Sequence, residues 1–279
     1  MTLVLAAHGT RSAAGEATLA ALAERVRRAR PGHRVEQAYL EISSPPLAEV
    51  LARVPGPVVV VPLLLAGGYH LHIDLPGVVA RARPDALVAG ALGPHPLVTS
   101  VLARRLASAG LRATDAVILG AAGSSDPAAV ADVRSAARLL SVRLARPVTA
   151  AFASAASPSL AEAMERLRSG PAPRVAVASY LLAPGFFQSR LESAGADLVS
   201  RPLGADDDLA ALVWHRADEA AVRAGVPVPR TPGGTPGDHR PAQESAGVRG
   251  VAVSSRSSRT ISTAPSSRDR PEPAPMKAS

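Results

Sequence analysis

The chain has 279 residues, enough for one large domain or two small ones with buried cores. It contains no cysteine, which excludes disulfides, thiolate metal sites and cysteine nucleophiles. The net charge of +8 comes almost wholly from arginine, and with 3% aromatic residues and no basic face carrying interleaved aromatics, nucleic-acid binding is disfavoured.

Nothing in the sequence predicts a membrane span or a secretion signal. The start "MTLVLAAHG" lacks a basic segment followed by a long apolar core. The longest apolar stretch, "VVVVPLLLAGG", is too short to cross a bilayer and is interrupted by Pro62. We therefore expect a cytoplasmic protein.

Strand-like and helix-like segments alternate through the first 110 residues. Four short apolar runs predict strands, and each is followed by a segment with helical spacing. For the second of these helices, Ser43 or Ser44 is the predicted N-cap. In order, the segments are "TLVLAAHG", "SAAGEATLAALAERVRRARPG", "RVEQAYLEI", "SSPPLAEVLARV", "PVVVVPLLLAGG" with a helix after it, "ALVAGALGPH" and "PLVTSVLARRLASAG". This order predicts a mostly parallel sheet with helices on both sides.

The same pattern then repeats. "DAVILGAAGSSD" matches "TLVLAAHGTRS", and "RPVTAAFASAASPSLAEAMERL" matches "HRVEQAYLEISSPPLAEVLARV". "RVAVASYLLAPGFF" matches "PVVVVPLLLAGGYH", and "ADLVSRPLGADDDLAALV" matches "DALVAGALGPHPLVTSVL". The sequence therefore predicts an α/β fold of two similar lobes, each a mostly parallel β-sheet flanked by helices.

Three regions follow from this organisation. Residues 1–110 form the first lobe, and residues 111–225 form a degenerate repeat of it. Residues 226–279 are rich in Pro, Gly, Ser and Arg without an apolar period, and contain eight basic and four acidic side chains. This last stretch is predicted to be a disordered tail.

The duplication allows each polar residue to be compared with its counterpart in the other lobe. His8 faces Ala122, Glu41 faces Ser154, and His70 faces Phe187. Glycines at the neighbouring turns are present in both lobes. Since the fold accepts Ala, Ser and Phe at these places, the three polar residues of the first lobe are candidates for function.

These three residues follow three successive predicted strands. The carboxyl ends of parallel strands meet at one edge of a sheet, where ligands bind in α/β proteins. Two imidazoles and a carboxylate suit Fe²⁺, Co²⁺ or Ni²⁺, and an imidazole also suits proton abstraction.

Each candidate also has an ordinary interpretation. His8 would serve equally as a hydrogen-bonded structural group, and Glu41 as a solvated carboxylate. In "HLHID", alternation would place His70 and His72 on one strand face, whereas helical spacing would pair His70 with Asp74. His95 in "LGPHP" follows the fourth strand and is a second-tier candidate.

Four segments in this order and spacing resemble the sirohydrochlorin chelatases of the class II chelatase superfamily. They are "AAHGTR", "AYLEISSPPL", "PLLLAGGYHLHIDLP" and "LGPHP". The resemblance is strong over residues 3–106, weak over the second lobe, and absent from the tail. It implies a lyase that inserts Fe²⁺ or Co²⁺ into sirohydrochlorin without ATP, toward siroheme or cobalamin, with no permanently bound cofactor.

Carried onto this sequence, the resemblance makes His8 and His70 the metal-handling and proton-accepting pair, with Glu41 beside them. Asp74 fits the family's "H…D.P" pattern, either orienting a histidine or capping a helix.

The substrate should meet a positively charged pocket, because sirohydrochlorin carries eight carboxylates. Arg11 and the backbone N–H groups at "GTRS", including Gly9 and Thr10, are the expected anion-binding groups. Gly67 and Gly68 would let the backbone approach the flat ring, although a plain turn would also explain them.

Two rival functions are weighed against this one. Histidine phosphatases also end a first strand on His-Gly, but there an arginine precedes the histidine, where this chain has Ala7. A tetrapyrrole or metal carrier without catalysis would use the same cleft and is the alternative retained. Two lobes in one chain would form the cleft that a single-lobe relative makes by dimerising, so we expect a monomer.

Overall fold

The computed structural model describes residues 1–68, 70–170 and 174–226. Of His70 it describes the backbone alone. The predicted tail therefore lies, apart from Val226, outside the described residues.

Both halves of the chain follow the strand–helix order expected from the sequence. The elements of the first half are β1 (Thr2–Ala7), α1 (Ala13–Ala29), β2 (Arg34–Tyr39), α2 (Leu47–Arg53), β3 (Val58–Pro62), a π-helical turn (His70–Asp74), α3 (Leu75–Ala82), β4 (Leu87–Val88) and α4 (Pro96–Ser108). Those of the second half are β5 (Ala116–Ala121), α5 (Pro127–Leu144), β6 (Val148–Phe152), α6 (Leu160–Arg168), β7 (Val175–Ser179), α7 (Phe186–Glu192), β8 (Leu198–Val199) and α8 (Asp207–Arg223).

Each half contains a parallel four-stranded sheet. The strand orders are β2-β1-β3-β4 and β6-β5-β7-β8, so the two sheets have the same topology. In both sheets the second strand lies on one side of the first strand and the third strand lies on its other side. The topological switch point of each sheet is therefore beside β1 and beside β5. The predicted α/β fold with two parallel sheets is confirmed.

Alternate residues of the strands enter different cores. Leu3, Leu5 and Ala7 of β1 belong to a central core that also includes residues of β5, β7, α1 and α8. Val4 and Ala6 face the other way, toward α2 and α3. The second sheet likewise packs its outer face on α6 and α7. The two sheets thus share one central core between them.

The last helix of each half crosses to the other half. Helix α4 contacts β7 and α5, whereas α8 contacts β3, β4 and α1. Trp214 of α8 donates its indole N–H to the Val26 carbonyl of α1 at 2.9 Å. Arg30 pairs with Asp218 through two hydrogen bonds of 2.6 and 2.8 Å. The last helix of each half thus packs on the other half. The domain boundaries at 110 and 225 stay a prediction.

One local expectation was wrong, and one of two alternatives is excluded. Helix α2 is preceded by Pro46 in extended conformation with no side-chain cap, so neither Ser43 nor Ser44 is its N-cap. The Ser43 hydroxyl instead donates to the Thr10 carbonyl, and it also contacts Glu16. Residues 70–74 form a π-helical turn, which excludes the alternation of His70 and His72 on a strand face.

Candidate active site

A cavity of about 1170 Å³ lies between the two halves. Its walls come from the loops that follow β1, β3, β5 and β7, the two central strands of each sheet. The cavity therefore opens at the carboxyl ends of the strands, at the switch point of both sheets at once, where α/β proteins bind ligands.

His8 directly follows β1 and lines this cavity. Its half-buried position results from the turn that follows. Gly9 has φ of +101°, and a Cβ there would lie 2.0 Å from the Glu41 carbonyl oxygen. Only glycine fits this position, so the backbone turns sharply immediately after His8 and leaves the imidazole at the strand end. Gly123 repeats the same turn in the second half, with φ of +100°.

The predicted substrate-binding residues Gly9, Thr10, Arg11, Gly67 and Gly68 all line the cavity. Some polar groups of this segment already have hydrogen-bond partners within the protein. The N–H of Thr10 donates to the Ser43 hydroxyl at 3.1 Å, and the N–H of Ser12 donates to the Thr10 hydroxyl at 3.1 Å.

The Arg11 side chain is exposed and makes no hydrogen bond or ion pair with any described residue. The N–H groups of Thr10 and Ser12 are thus used within the protein, whereas the Arg11 side chain is available to an anion.

Glu41, His70 and Asp74, which were also predicted from the sequence, differ in where the structure places them. Glu41 is exposed, its N–H donates to the His8 carbonyl at 3.0 Å, and its side chain is not part of the described cavity wall. The side chain of His70 lies outside the described residues. Asp74 stands at the start of α3 without making the capping hydrogen bond, so that part of the expectation was wrong.

His95 has a structural role. Its Nδ1 accepts the Leu97 N–H at 3.1 Å and so caps α4. Burial lowers its pKa, and the nearby Arg216 and then His215 lower it further, while Glu219 opposes them. It is not part of the described cavity wall.

Among the side chains described, which exclude that of His70, no three His, Asp or Glu residues gather closely enough to hold a metal ion. A metal site at this cleft would therefore be an open one that needs His70 or groups from the substrate.

Apolar side chains line the cavity from both halves. Ile42 is 56% exposed and Phe186 is 69% exposed, although both are large and hydrophobic. Phe186 packs edge-on against Phe187, with 5.3 Å between ring centroids, and Arg190 lies 5.7 Å from the Phe186 centroid. Exposed apolar groups at the wall of a cleft are typical of ligand contact.

Two residues of the second half were missed by the sequence reasoning. Tyr180 and Asp132 each hydrogen-bond the loop after β3. Tyr180 could have been found, because it faces Leu63 in the duplication and is thus a polar group present in one half only. Asp132 lies inside helix α5, and no local pattern distinguishes it from a surface carboxylate.

The comparison with family models gives the decisive result. The model of the CbiX family matches residues 2–109 and again residues 116–220. The chain belongs to the CbiX family. The double match covers both halves and agrees with the duplication seen in the sequence and in the two sheets, and it confirms the resemblance to sirohydrochlorin chelatases.

Relatives of the CbiX family are similar over most of the chain. A sirohydrochlorin ferrochelatase of Priestia megaterium is 26% identical over 75% of this chain and 86% of its own length. SirB from Bacillus subtilis, solved with Fe³⁺, superposes with a TM-score of 0.69 at 22% identity, covering 80% of this chain and 97% of SirB. A CbiX structure described as the terminal enzyme of siroheme biosynthesis in denitrifying bacteria gives a TM-score of 0.59 at 22% identity, covering 79% and 99%. At this identity the two structures establish the shared fold.

None of the helices in the described part of the chain is long and apolar enough to cross a bilayer.

Proposed function

We propose that this CbiX-family protein is a sirohydrochlorin chelatase that inserts Fe²⁺ or Co²⁺ into sirohydrochlorin without ATP, in siroheme or cobalamin formation. The observation that carries the proposal is the placement of His8 in a cleft of about 1170 Å³ between the two switch points. This volume is just above the range of roughly 300–1,000 Å³ in which proteins bind small molecules, as a large macrocycle requires. The names of the similar proteins, which include a ferrochelatase and a chelatase solved with cobalt, support the same reaction.

The cleft offers a flat macrocycle both apolar and charged contacts. Ile42 and Phe186 come from opposite halves and would pack on the ring. Gly67 and Gly68 carry no side chain that would keep the ring away from the backbone. Arg11, which has no partner among the described residues, would bind a peripheral carboxylate. Because both walls belong to one chain, a monomer is sufficient to form this site.

Insertion requires two pyrrole N–H protons to leave while the metal exchanges water for four nitrogens. We assign His8 and His70 as the pair that accepts protons and handles the metal, with Glu41 beside them. A neutral imidazole can take a proton or bind the ion. A carboxylate offsets the charge of the cation during dehydration. An open set of two imidazoles and one carboxylate holds the ion loosely enough to release it to the ring, unlike a closed structural site.

The test is an anaerobic insertion assay with sirohydrochlorin and Fe²⁺ or Co²⁺, followed by absorption. His8→Ala should lower kcat/KM by about 10²-fold or more, the usual effect of removing a general base. It should fold normally, because Ala122 occupies the matching position in the second half. His215→Ala is the matched control, since His215 lies on α8 and is not part of the described cavity wall.

Two outcomes would change the assignment. Wild-type rates in His8→Ala would exclude the proposed role of His8. A wild-type protein that binds sirohydrochlorin tightly without accelerating insertion would favour the carrier alternative.

A further inference from the structure

The loop that leads from β3 to the π-helical turn is bound to the opposite half of the molecule. We call residues 63–68 the β3 loop. The Tyr180 hydroxyl, just after β7, donates to the Leu65 carbonyl at 2.7 Å. The N–H of Gly67 donates to Oδ2 of Asp132 on α5 at 2.7 Å. Two residues of the second half thus hold two points of one loop of the first half.

The hydrogen bond between Tyr180 and Leu65 is buried and tightly packed. Tyr180 is 3% exposed, and burial together with the negative charge of Asp132 raises its pKa, so the hydroxyl keeps its proton and remains a donor. Gly93 packs directly against this contact. A Cβ at Gly93 would lie 2.1 Å from the Tyr180 hydroxyl oxygen and 2.3 Å from the Leu65 carbonyl oxygen. The contact is therefore closely enclosed.

The β3 loop in turn holds the backbone of the turn that contains His70. The N–H groups of Leu71 and His72 both donate to the Gly68 carbonyl, at 3.0 and 2.9 Å. Fixing Gly67 fixes the adjacent Gly68 carbonyl, and this carbonyl anchors the first residues of the π-helical turn. The Asp132–Gly67 hydrogen bond and the bonds to the Gly68 carbonyl, joined by the Gly67–Gly68 peptide, thus connect Asp132 to the two residues that follow His70.

The duplication shows that this arrangement serves only one half. The matching loop of the second half has Pro184 in place of Gly67, and proline has no N–H to donate. The counterpart of Tyr180 is Leu63, which has no hydroxyl. The counterpart of Asp132 is Thr18, whose hydroxyl donates to Ala14 of its own helix at 2.7 Å. Within the described residues, the loop leading to His70 has both bonds and the loop leading to Phe187 has neither.

We propose that Asp132 and Tyr180 are positioning residues of the second half that hold the β3 loop, and through it His70, in place for the reaction. The role of His70 rests on the proposed chelatase function. The hydrogen bonds and their effect on the loop do not depend on that function.

Hydrogen exchange tests the structural part directly. In Tyr180→Phe and Asp132→Ala, the amides of Leu71 and His72 should exchange about tenfold faster, the change expected when a hydrogen bond worth about 1.4 kcal/mol is lost. Thr18→Ala is the matched control, since it removes the equivalent side chain of the first half and should leave these amides unchanged. Wild-type exchange in both variants would overturn the proposal, whether or not the protein inserts metal.

Insertion kinetics test the positioning part. Both variants should lower kcat at least fivefold while the KM for sirohydrochlorin stays within twofold, because Arg11, Ile42 and Phe186, the proposed ring contacts outside the β3 loop, are unaltered. Asp132→Asn should restore most of kcat, since its carbonyl oxygen can still accept the Gly67 N–H. A rise in the KM for sirohydrochlorin with unchanged kcat, or equal losses in Asp132→Asn and Asp132→Ala, would contradict the assignment. Absence of insertion by the wild-type protein would refute the chelatase proposal alone, because the exchange experiment would still stand.

Discussion

Single side chains distinguish the two halves more than the backbone does. His8 and Ala122 follow the same strand and the same glycine turn, and both line the cleft. The imidazole is present on one wall only. A symmetric fold thus gives an asymmetric cleft, in which the first half carries His8 and the second half carries Ala122 at the matching position.

Arg11 gives a prediction at this scale. Arg11→Ala should raise the KM for sirohydrochlorin about tenfold, because a charged hydrogen bond contributes about 1.5–3 kcal/mol and exposure reduces this. The effect should shrink as salt is added, since exposed charges are screened. Steady-state kinetics at two ionic strengths measure it.

Arg28→Ala serves as the control for Arg11, because Arg28 is exposed in the last turn of α1 and is not part of the described cavity wall. An equal rise in KM in both variants would mean that only the overall positive charge matters.

The order of strands was enough to place several residues on the cavity wall, because the carboxyl ends of parallel strands form the ligand-binding edge. Gly9, Thr10, Arg11, Gly67 and Gly68 were expected at the ligand edge and line the cavity. The roles assigned to His8, His70 and Glu41 remain predictions. Tyr180 and Asp132 were missed because their partners lie 115 and 65 residues away, and no local pattern records such a contact.

At the scale of elements, the turns and helix ends define where each wall residue stands. Periodicity predicted the alternation of strands and helices and the parallel sheets. It failed at the start of α2, because the extended Pro46 bridges to Tyr39 of β2 and delays the helix, while Ser43 is used by the loop after β1. Such contacts between loops compete with local capping preferences.

The turn after β1 should tolerate no side chain at Gly9. Gly9→Ala should lower the free energy of unfolding by about 2 kcal/mol or more, because φ is +101° and the new Cβ would clash with a carbonyl oxygen. Gly123→Ala should do the same in the other half, where the Cβ would lie 1.8 Å from the Ser154 carbonyl oxygen. Urea denaturation measures both.

Gly32→Ala is the control for these variants, because a Cβ at Gly32 would meet nothing within 4 Å. Its stability should stay close to that of the wild type. If Gly9→Ala were equally stable, the steric explanation of the turn would be wrong.

The cap of α4 predicts a dependence of stability on pH. His95 accepts a hydrogen bond through Nδ1, so only the neutral imidazole can cap the helix. Its pKa is lowered in the folded protein, first by burial and then by Arg216 and His215. The unfolded chain therefore takes up the proton first as pH falls below the ordinary histidine value of about 6.5, and the stabilisation present above that pH is lost.

His95→Asn should keep the cap without titrating in this range. Melting temperatures measured at pH 7.5 and 5.5 should therefore fall less in His95→Asn than in the wild type. His95→Ala should lose about 1 kcal/mol at pH 7.5, since it removes the cap. A wild type and His95→Asn with the same pH profile would contradict this account.

At the scale of the whole molecule, the exchange of α4 and α8 joins the two halves. Each sheet covers its inner face with a helix from the other half. The sequence could not reveal this, because the spacing between β4 and α4 is the same whichever sheet the helix packs on. The order of elements is local information, whereas the choice of partner sheet is not.

This exchange predicts that the covalent connection between the halves is dispensable for their association. Residues 109–114 are largely exposed, and a protease site inserted there and cut should give two fragments that still elute together on size exclusion. The central core shared by both sheets and the Arg30–Asp218 pair would hold them. Fragments that separate and aggregate would show that the connection itself is needed.

The contact between α1 and α8 also provides a built-in optical reporter. Trp214 is the only tryptophan in the chain, and it is buried with its indole bound to Val26 and Arg30 stacked 4.7 Å from the ring centroid. Its emission wavelength and quenching therefore respond to whether the helices remain docked. Unlabelled protein can thus reveal, in real time, whether a variant or a ligand loosens the junction.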